Sequence, residues 1–358
     1  MDFTFSEDQL LFRDSVRDFL SNEVSTESIR ERWDTDSGRS DAIWAKLAEL
    51  GLTGMLVPEA QGGLDMNEID FVMLAEECGR VALPEPLVDT VLLATPVLAA
   101  DASQPDNEVL LQGIASGEIK VAVQSSQGAL VSDAEFADVL LLQNDSAIYA
   151  LPSNRASLSL QESVDPSRRL FLVDWNVADA RCIHSGAEGK AQQESLANRG
   201  ALAASAQLLG LAQKIVDLSV AYTSERSQFG KPIGSFQAVK HHLANVAVKT
   251  EFAKAPIYRA AYSIAHNLSD AALHVSQAKL AAGDAAVAGA KSGIQVHGAM
   301  GYTWEVDLHI FMKRAWALNN AWGTQGEHKA RIGEAVFSAD RTLGAGHTFA
   351  SATSEKVA

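Results

Sequence analysis

A short segment in the second half of the chain carries side chains suited to a phosphorylated, aromatic ligand. It runs from Arg226 to Gly230 and is followed by Gln237. The guanidinium of Arg226 can pair with two oxygens of a pyrophosphate, and Gln228 can donate hydrogen bonds to phosphate oxygens. Phe229 offers a flat surface for a ring. The segment therefore has the chemistry of a nucleotide-binding site.

A second segment, Gln295 to Tyr302 followed by Glu305, complements the first. Gly298 and Gly301 permit close approach of the backbone to a ligand, and the amide of Gln295 can hydrogen-bond a nucleotide. Each segment alone also fits a plainer structure, namely a helix end with a solvated arginine and a turn that contains glycine. The two segments together favour a shared ligand site.

Helices must position both segments, because apolar periodicity dominates the first and last thirds of the chain. In the first third, Ser6 can cap a helix, Gly51 can end a second one, and two more are predicted at Ile69–Val81 and Val88–Leu98. In the last third the pattern predicts four helices: about Leu196 to Phe229, from near Ser235, about Asp270 to Ile294, and Glu305 to Leu318. Alanine-rich stretches at Ala201–Ala206 and Ala281–Ala290 indicate tight helix packing or a subunit interface, or simply helix propensity.

The middle of the chain has a different pattern. Five short runs with β character are separated by turn residues: Lys120–Gln124, Ala137–Gln143, Ala147–Leu151, Ser157–Gln161 and Arg169–Asp174. Short strands at regular spacing predict a small antiparallel barrel or sandwich.

The net charge of −16 argues against nucleic acid as a partner, since phosphate binding needs a basic face. The two cysteines, Cys78 and Cys182, suggest no disulfide framework and favour a reducing compartment. The N-terminus lacks the apolar region of a signal peptide, and no apolar run is long enough to span a bilayer. No spacing of cysteine and histidine predicts a metal site. We therefore expect a cytoplasmic protein without metal or membrane contact.

In this order and spacing, the motifs resemble those of the acyl-CoA dehydrogenase family over nearly the whole chain. Arg226 to Gln237 is similar to the R-x-x-F-G-x-x-x-x-x-x-Q stretch of that family, and Gln295 to Glu305, with Arg314 beyond, is similar to Q-x-x-G-G-x-G-Y/F-x-x-E. The resemblance implies an α+β fold with an N-terminal helical domain (1–117), a small middle β domain (118–195), a C-terminal four-helix bundle (196–345) and a tail (346–358). It also implies FAD as cofactor and an electron-transfer flavoprotein as acceptor.

The resemblance breaks down where the family carries its catalytic base. Family members remove an α-proton with a carboxylate, commonly in a Y-E-G-T segment, and here the matching position is Trp322. Indole has no proton-accepting nitrogen. Other members place the glutamate on an earlier helix, at or near the position of Gly200, which holds no carboxylate either. We expect no catalytic residue in this chain. An indole at Trp322 would also occupy the space that a thioester needs.

Two departures in the β domain agree with this loss. The T-E-P-x-x-G-S-D-like loop of active members is absent, because Val121–Gln124 passes almost directly to Gln127–Asp133. The next ring-contact stretch, G-x-K-x-W-I-T-N-like in the family, corresponds here to Gly128–Asp133, where the aromatic ring is missing and Asp133 adds a negative charge.

In the family, the two conserved blocks reach across an interface to the FAD that a neighbouring subunit mainly holds. We therefore expect a heteromeric, α2β2-type dehydrogenase in which a homologous subunit supplies the base, the ring contacts and the acyl-CoA pocket. Split assemblies of this kind oxidise CoA esters of steroid side chains in bacteria. The residues offered to the partner's FAD would be Arg226, Gln228, Phe229, Gln295, Gly298 and Ala299.

Three alternatives stay open. The first is a self-sufficient homotetramer with a relocated base, for which Glu327 and Glu225 are candidates, although Glu327 also fits a helix start and Glu225 a surface partner of Arg226 or Lys231. The second is a structural or regulatory paralogue that binds no flavin. The third is a flavin monooxygenase or nitroalkane-oxidase-like relative, for which no residue gives positive support.

Overall fold

The computed structural model describes residues 4–125 and 130–338. The predicted tail at 346–358, and Gln127, Gly128 and Ala129 of the predicted ring-contact region, lie outside the described residues. The order of elements is helices, then a small β region, then helices.

The first region is helical, as predicted. Its helices are α1 (Glu7–Glu23), α2 (Thr26–Trp33), α3 (Asp41–Glu49), α4 (Glu68–Arg80), α5 (Thr95–Ala99) and α6 (Pro105–Ser116). Ser6 caps α1 through a capping box: its Oγ accepts from the Gln9 N–H at 3.2 Å, and its N–H donates to Gln9 Oε1 at 2.9 Å. The prediction of one helix at Val88–Leu98 was wrong in detail, because Asp89–Ala94 forms a wider π-helical segment before α5.

The β region contains β1 (Val121–Val123), β2 (Leu130–Ser132), β3 (Val139–Asn144), β4 (Ala147–Pro152), β5 (Ser157–Gln161), β6 (Leu170–Asp174) and β7 (Arg181–His184). Two sheets form, in the orders β1-β3-β4-β7 and β2-β6-β5, and both contribute to one apolar core. The five predicted strands are present, whereas β2 and β7 were not predicted. The prediction of purely antiparallel pairing was wrong, since β1 runs parallel to β3.

The last region consists of α7 (Gly186–Glu225), α8 (Gln237–Ala265), α9 (Ala271–His297), α10 (Leu308–Asn320) and α11 (Gln325–Val336). A small hairpin of β8 (Ser227–Gln228) and β9 (Lys231–Pro232) joins α7 to α8. The helix predicted from about Leu196 begins earlier, at Gly186. Helices α7, α8 and α9 pack side by side, with α10 across α7 and α9.

Small residues bring the backbones of these helices together. Most alanines of the two stretches are buried, and α7 packs against α9, which favours tight packing within the subunit. Helix α4 lies so close to α7 that a Cβ at Gly79 would come within 2.2 Å of the Gln207 carbonyl oxygen, and one at Gly210 within 2.0 Å of the Glu76 carbonyl oxygen. Among the described residues, no helix is long and apolar enough to cross a membrane.

Candidate functional site

The first sequence segment forms the hairpin that follows α7. The N–H of Arg226 donates to the Tyr222 carbonyl at 2.9 Å and ends the helix, and the N–H of Ile233 donates back to the Arg226 carbonyl at 2.8 Å. The two loop residues, Phe229 and Gly230, both have positive φ, 54° and 80°. This backbone fits the tight two-residue turns that match strand twist. It leaves the Phe229 side chain 91% exposed.

The second segment ends α9 and continues into a short turn. Gly298 has φ +61° and ψ −135°, a conformation that a residue with a Cβ adopts only under strain. Nothing lies within 4 Å of the position where its Cβ would be, so the backbone there is open to approach. Gln295 and Ala299 are exposed on either side.

A ring stack joins the two segments. Tyr222 packs on His297 with ring centroids 4.2 Å apart and planes 20° from parallel, and its hydroxyl donates to the His297 carbonyl at 3.4 Å. His297 Nδ1 lies 2.8 Å from the Gly293 carbonyl oxygen. Burial lowers the pKa of His297, so the imidazole is neutral at pH 7. The ends of α7 and α9 are therefore held together as one unit.

We call the six predicted residues at this end the contact surface: Arg226, Gln228, Phe229, Gln295, Gly298 and Ala299. All six are exposed. Within the part of the chain that the structure describes, the side chains of Arg226, Gln228 and Gln295 make no hydrogen bond or ion pair. Glu225 forms no ion pair with Arg226 or Lys231 in residues 130–338, contrary to the pairing considered from the sequence. The free donors and the open glycine fit the pyrophosphate and nucleotide part of an FAD.

Trp322, at the position that matches the family's base, lies apart from the contact surface. Trp322 has φ +55° and stands in the turn between α10 and α11. His328 Nε2 lies 3.0 Å from the Trp322 carbonyl oxygen, and Lys279 Nζ donates to the carbonyls of Asn319 at 2.8 Å and Gly323 at 3.1 Å. Burial lowers the pKa of His328 to about 4, so the ring is neutral and its Nε2–H is the donor. These contacts fix the turn.

The indole of Trp322 rests directly on Gly200 of α7. A Cβ at Gly200 would come within 2.1 Å of the indole carbon Cδ2. The two places where the resemblance puts the family's carboxylate are thus in contact, and neither carries one. Glu327, a candidate for a relocated base, accepts hydrogen bonds from the N–H and hydroxyl of Thr324 at 2.7 and 2.9 Å. These bonds lower its pKa, which makes it a weak base at the start of α11.

Trp322 also borders a cavity of about 380 Å³, which we call the Trp322 cavity. The helical first region, the β region, α7 and the α10 end all contribute to its wall. The indole therefore does not fill all of the space beside it. It occupies the volume over Gly200 and leaves the rest open.

Buried ion pairs tie the walls of this cavity together. Arg39 pairs with Asp133 and donates to the Ser167 carbonyl at 2.8 Å. Arg314 pairs with Asp165, and its Nη1 donates to the Leu83 carbonyl at 3.1 Å. All of these charged side chains are at most 10% exposed. Charged groups thus form part of this cavity wall, whereas an acyl chain or a flavin ring needs mainly apolar surface and neutral donors.

Asp133 places a negative charge on the side of the cavity formed by the β region, which is unfavourable for a flavin ring. It follows β2, has φ +61°, and its carboxylate points to Arg39 of the helical region. Burial raises the pKa of Asp133, against the attraction of Arg39. Next to it, Gln124 pairs with Val131, so β1 and β2 adjoin with only a short connection between them. The residues on this side do not fit a flavin of the chain's own.

Sequence reasoning missed Asp89, which lines the Trp322 cavity from the π-helical segment. Burial raises the pKa of Asp89 to about 6, reinforced by the charge of Asp133 and opposed by nearby arginines. Asp89 is the only carboxylate in the apolar run Val88–Leu98, and this could have marked it as a candidate site residue. A group of at least three side chains suited to a metal ion is not found in residues 4–125 and 130–338.

Comparison with known proteins gives the class. Residues 6–118 match the N-terminal domain of acyl-CoA dehydrogenases, and residues 187–337 match the C-terminal domain. The chain therefore belongs to the acyl-CoA dehydrogenase family, which confirms that part of the sequence prediction. Members of this family are flavin-dependent in general.

Individual relatives lie close in length. Acyl-CoA dehydrogenase IpdE2 of Mycobacterium tuberculosis (strain ATCC 25618 / H37Rv) is 29% identical over 316 residues, which cover 86% of this chain and 91% of the relative. The ChsE4-ChsE5 complex from Mycobacterium tuberculosis has a TM-score of 0.81 at 21% identity, covering 94% of this chain and 100% of that chain. A variant of the Tcur3481-Tcur3483 steroid ACAD has a TM-score of 0.81 at 21% identity, covering 92% and 98%. The two solved structures establish the shared fold.

Proposed function

We propose that this chain is a subunit of a heteromeric, FAD-dependent acyl-CoA dehydrogenase. Its contact surface completes the FAD site of a homologous partner subunit, which supplies the catalytic base. The enzyme desaturates an acyl-CoA thioester between Cα and Cβ. This chain alone is inactive in that reaction.

The separation of two sites on α7 carries the proposal. Gly200, under the indole, and Glu225, next to Arg226, lie about 38 Å apart along a helix that rises about 1.5 Å per residue. Arg226 therefore cannot serve a ligand in the Trp322 cavity of its own chain. Its unpaired guanidinium faces away from the chain, where a partner's cofactor can meet it.

Each residue of the contact surface has a role in this arrangement. Arg226 and Gln228 would hold the pyrophosphate, and Gln295 would hydrogen-bond the nucleotide. Gly298 and Ala299 would let the backbone approach the cofactor, and Phe229 would exclude water over a ring. FAD, when bound, accepts the hydride from Cβ of the thioester. The contact surface lowers the free energy of the bound cofactor and takes no part in moving the α-proton.

The substrate class follows from the relatives and is part of the proposal. A steroid dehydrogenase and a two-component complex share this fold. We infer a CoA ester of a bulky substituent such as a steroid side chain. An electron-transfer flavoprotein would reoxidise the cofactor.

The experiment is co-expression of this chain with a homologous dehydrogenase subunit from the same genome, followed by measurement of FAD content and mass. We expect one FAD per heterodimer and none on the isolated chain. Arg226→Ala should weaken FAD binding by roughly 10- to 100-fold, because a bidentate charged contact contributes about 1.5–3 kcal/mol. Arg155→Ala, at an exposed arginine of the β region, is the matched control and should leave FAD binding unchanged.

Two results would contradict the proposal. A yellow, active homotetramer with one FAD per chain would show a self-sufficient enzyme with a relocated base. A heteromer that keeps its FAD equally well with Arg226→Ala and Arg155→Ala would remove the contact surface from the cofactor site.

A further inference from the structure

Most charged groups around the Trp322 cavity have a partner of opposite charge. Arg39 pairs with Asp133, and Arg314 pairs with Asp165. Glu85 forms an ion pair with Arg32, whose Nη1 donates to Glu85 Oε1 at 3.3 Å. In these pairs each charge is compensated by its partner, so the paired residues do not require a charged ligand.

Asp89 and Arg168 line this cavity, are partly exposed and make no ion pair in residues 4–125 and 130–338. Asp89 belongs to the π-helical segment and Arg168 to the stretch before β6. They attract each other, yet no carboxylate oxygen of Asp89 lies within the 4.0 Å ion-pair distance of an Arg168 nitrogen. Arg168 makes one long hydrogen bond, 3.4 Å, to the Ala317 carbonyl. A carboxylate and a guanidinium thus line the same cavity, and both groups can form further hydrogen bonds.

The protonation equilibria of both groups agree with this geometry. Burial raises the pKa of Asp89 to about 6 and lowers the pKa of Arg168. The main cause of each shift is burial, which disfavours the charged form. Glu85 Oε2, also at the wall, is buried and without a hydrogen-bond partner, which adds an acceptor.

Apolar and polar side chains share the rest of the cavity wall, and an apolar ligand body would pack on the apolar ones. Leu83, Val88, Leu170, Ala204 and Trp322 line it beside the polar pair. Its volume of about 380 Å³ lies at the small end of the ~300–1,000 Å³ typical of small-molecule sites. A flat bicyclic molecule has a suitable size.

We propose that the Trp322 cavity binds a small neutral molecule that carries a carboxamide edge on an apolar, flat body. The amide N–H donates to Asp89 and the amide C=O accepts from Arg168, which satisfies both groups at once. A carboxylate ligand would meet the charge of Asp89, and a hydrocarbon would leave both groups unpaired. This site stands independently of the contact surface.

Titration calorimetry and ligand-observed NMR on the intact chain test the site with three probes of one shape. These are 2-naphthamide, 2-naphthoate and 2-methylnaphthalene at pH 8. We expect 2-naphthamide to bind at least 10-fold more tightly than either of the others. Asp89→Asn and Arg168→Gln should each weaken its binding at least 10-fold, while Arg155→Gln on the surface leaves it unchanged. Circular dichroism confirms that each variant is folded.

Three outcomes would overturn the assignment. Equal binding of the three probes would show an apolar pocket that does not recognise the amide. If none of the three probes binds, the cavity holds only water. Binding of lumiflavin without binding of 2-naphthamide would show that the cavity holds a flavin ring. Only the last of these would also count against the proposed function, so the two failures can be told apart.

Discussion

Trp322 and Gly200 form a matched pair, and each residue's identity depends on the other. Because a Cβ at Gly200 would meet the indole at 2.1 Å, Gly200→Ala should destabilise the protein by about 1–3 kcal/mol through overpacking. The measurement is urea unfolding. Gly333→Ala in α11 is the control, because nothing lies within 4 Å of its Cβ position, and it should stabilise by about 0.5–1 kcal/mol.

The same substitution in a Trp322→Ala background separates packing from helix propensity. There Gly200→Ala should be neutral or stabilising, since the clashing ring is gone. An equal cost in both backgrounds would mean that the indole does not rest on Gly200.

Asp89 should make stability depend on pH. Its pKa is raised in the folded state, to about 6, so the folded chain holds this proton more tightly than the unfolded chain does. Stability from this group is therefore full below about pH 4 and declines as the pH rises towards 6, by about 2–3 kcal/mol in total. Burial is the main cause of the raised pKa; the charge of Asp133 adds to it, and those of Arg168, Arg314 and Arg39 oppose it.

Asp89→Asn should remove that decline. Compared with wild type, the variant should unfold at nearly the same urea concentration at pH 4 and at a clearly higher one at pH 7. A difference that stays constant between these pH values would contradict the raised pKa. The sequence alone drew attention to Trp322, because a family-like motif surrounds that position. It could not predict Asp89, whose environment arises from segments far apart in the chain.

At the scale of elements, the Tyr222–His297 stack positions the contact surface. Tyr222→Ala should loosen the ends of α7 and α9 and weaken FAD binding in the proposed heteromer by about 10-fold, because the two segments lose their fixed spacing. Tyr222→Phe keeps the ring stack and should bind FAD nearly normally. Flavin fluorescence measures the affinity and native mass spectrometry the assembly.

The assembly readout decides between positioning and mere stability. If Tyr222→Ala prevents the heteromer from forming, the stack supports the fold. If the heteromer forms and FAD binds as in wild type, the stack has no positioning role.

The elements themselves were partly readable from the sequence. Long periodic helices such as α9 and capped ones such as α1 were predicted, because local chemistry defines them. The parallel pairing of β1 with β3 and the π-helical segment at Asp89 were not, since both depend on neighbours distant in the chain. The hairpin turn at Phe229 was missed because an aromatic residue rarely takes positive φ.

At the scale of the whole molecule, buried ion pairs hold the helical, β and C-terminal regions together. Arg314 of α10 reaches both Asp165 of the β region and the Leu83 carbonyl of the first region. Arg314→Met leaves Asp165 buried and unpaired, and should destabilise the protein by about 3–5 kcal/mol. The double change Arg314→Met with Asp165→Leu should recover most of that loss. Calorimetry of the three proteins checks both statements, and an unchanged single variant would show that the pair does not couple the regions.

The order of regions and the family followed from sequence motifs, because those motifs are local. The charged wall of the Trp322 cavity did not, because Arg39, Asp133, Asp165 and Arg314 meet only in the folded chain. The composition gives the net charge of the chain, but it does not show which charged side chains are buried. Long-range pairing of charges was therefore the main part of the molecule that the sequence left open.

The packing of the Trp322 indole on Gly200 also constrains how this chain can evolve. A glutamate at Trp322, which is partly buried, would leave part of the indole's volume empty and lower stability. Total stability is only about 5–15 kcal/mol. Placing the carboxylate at Gly200 instead would collide with the ring. Each single change would lower stability, so a carboxylate at either position requires a compensating substitution at the other.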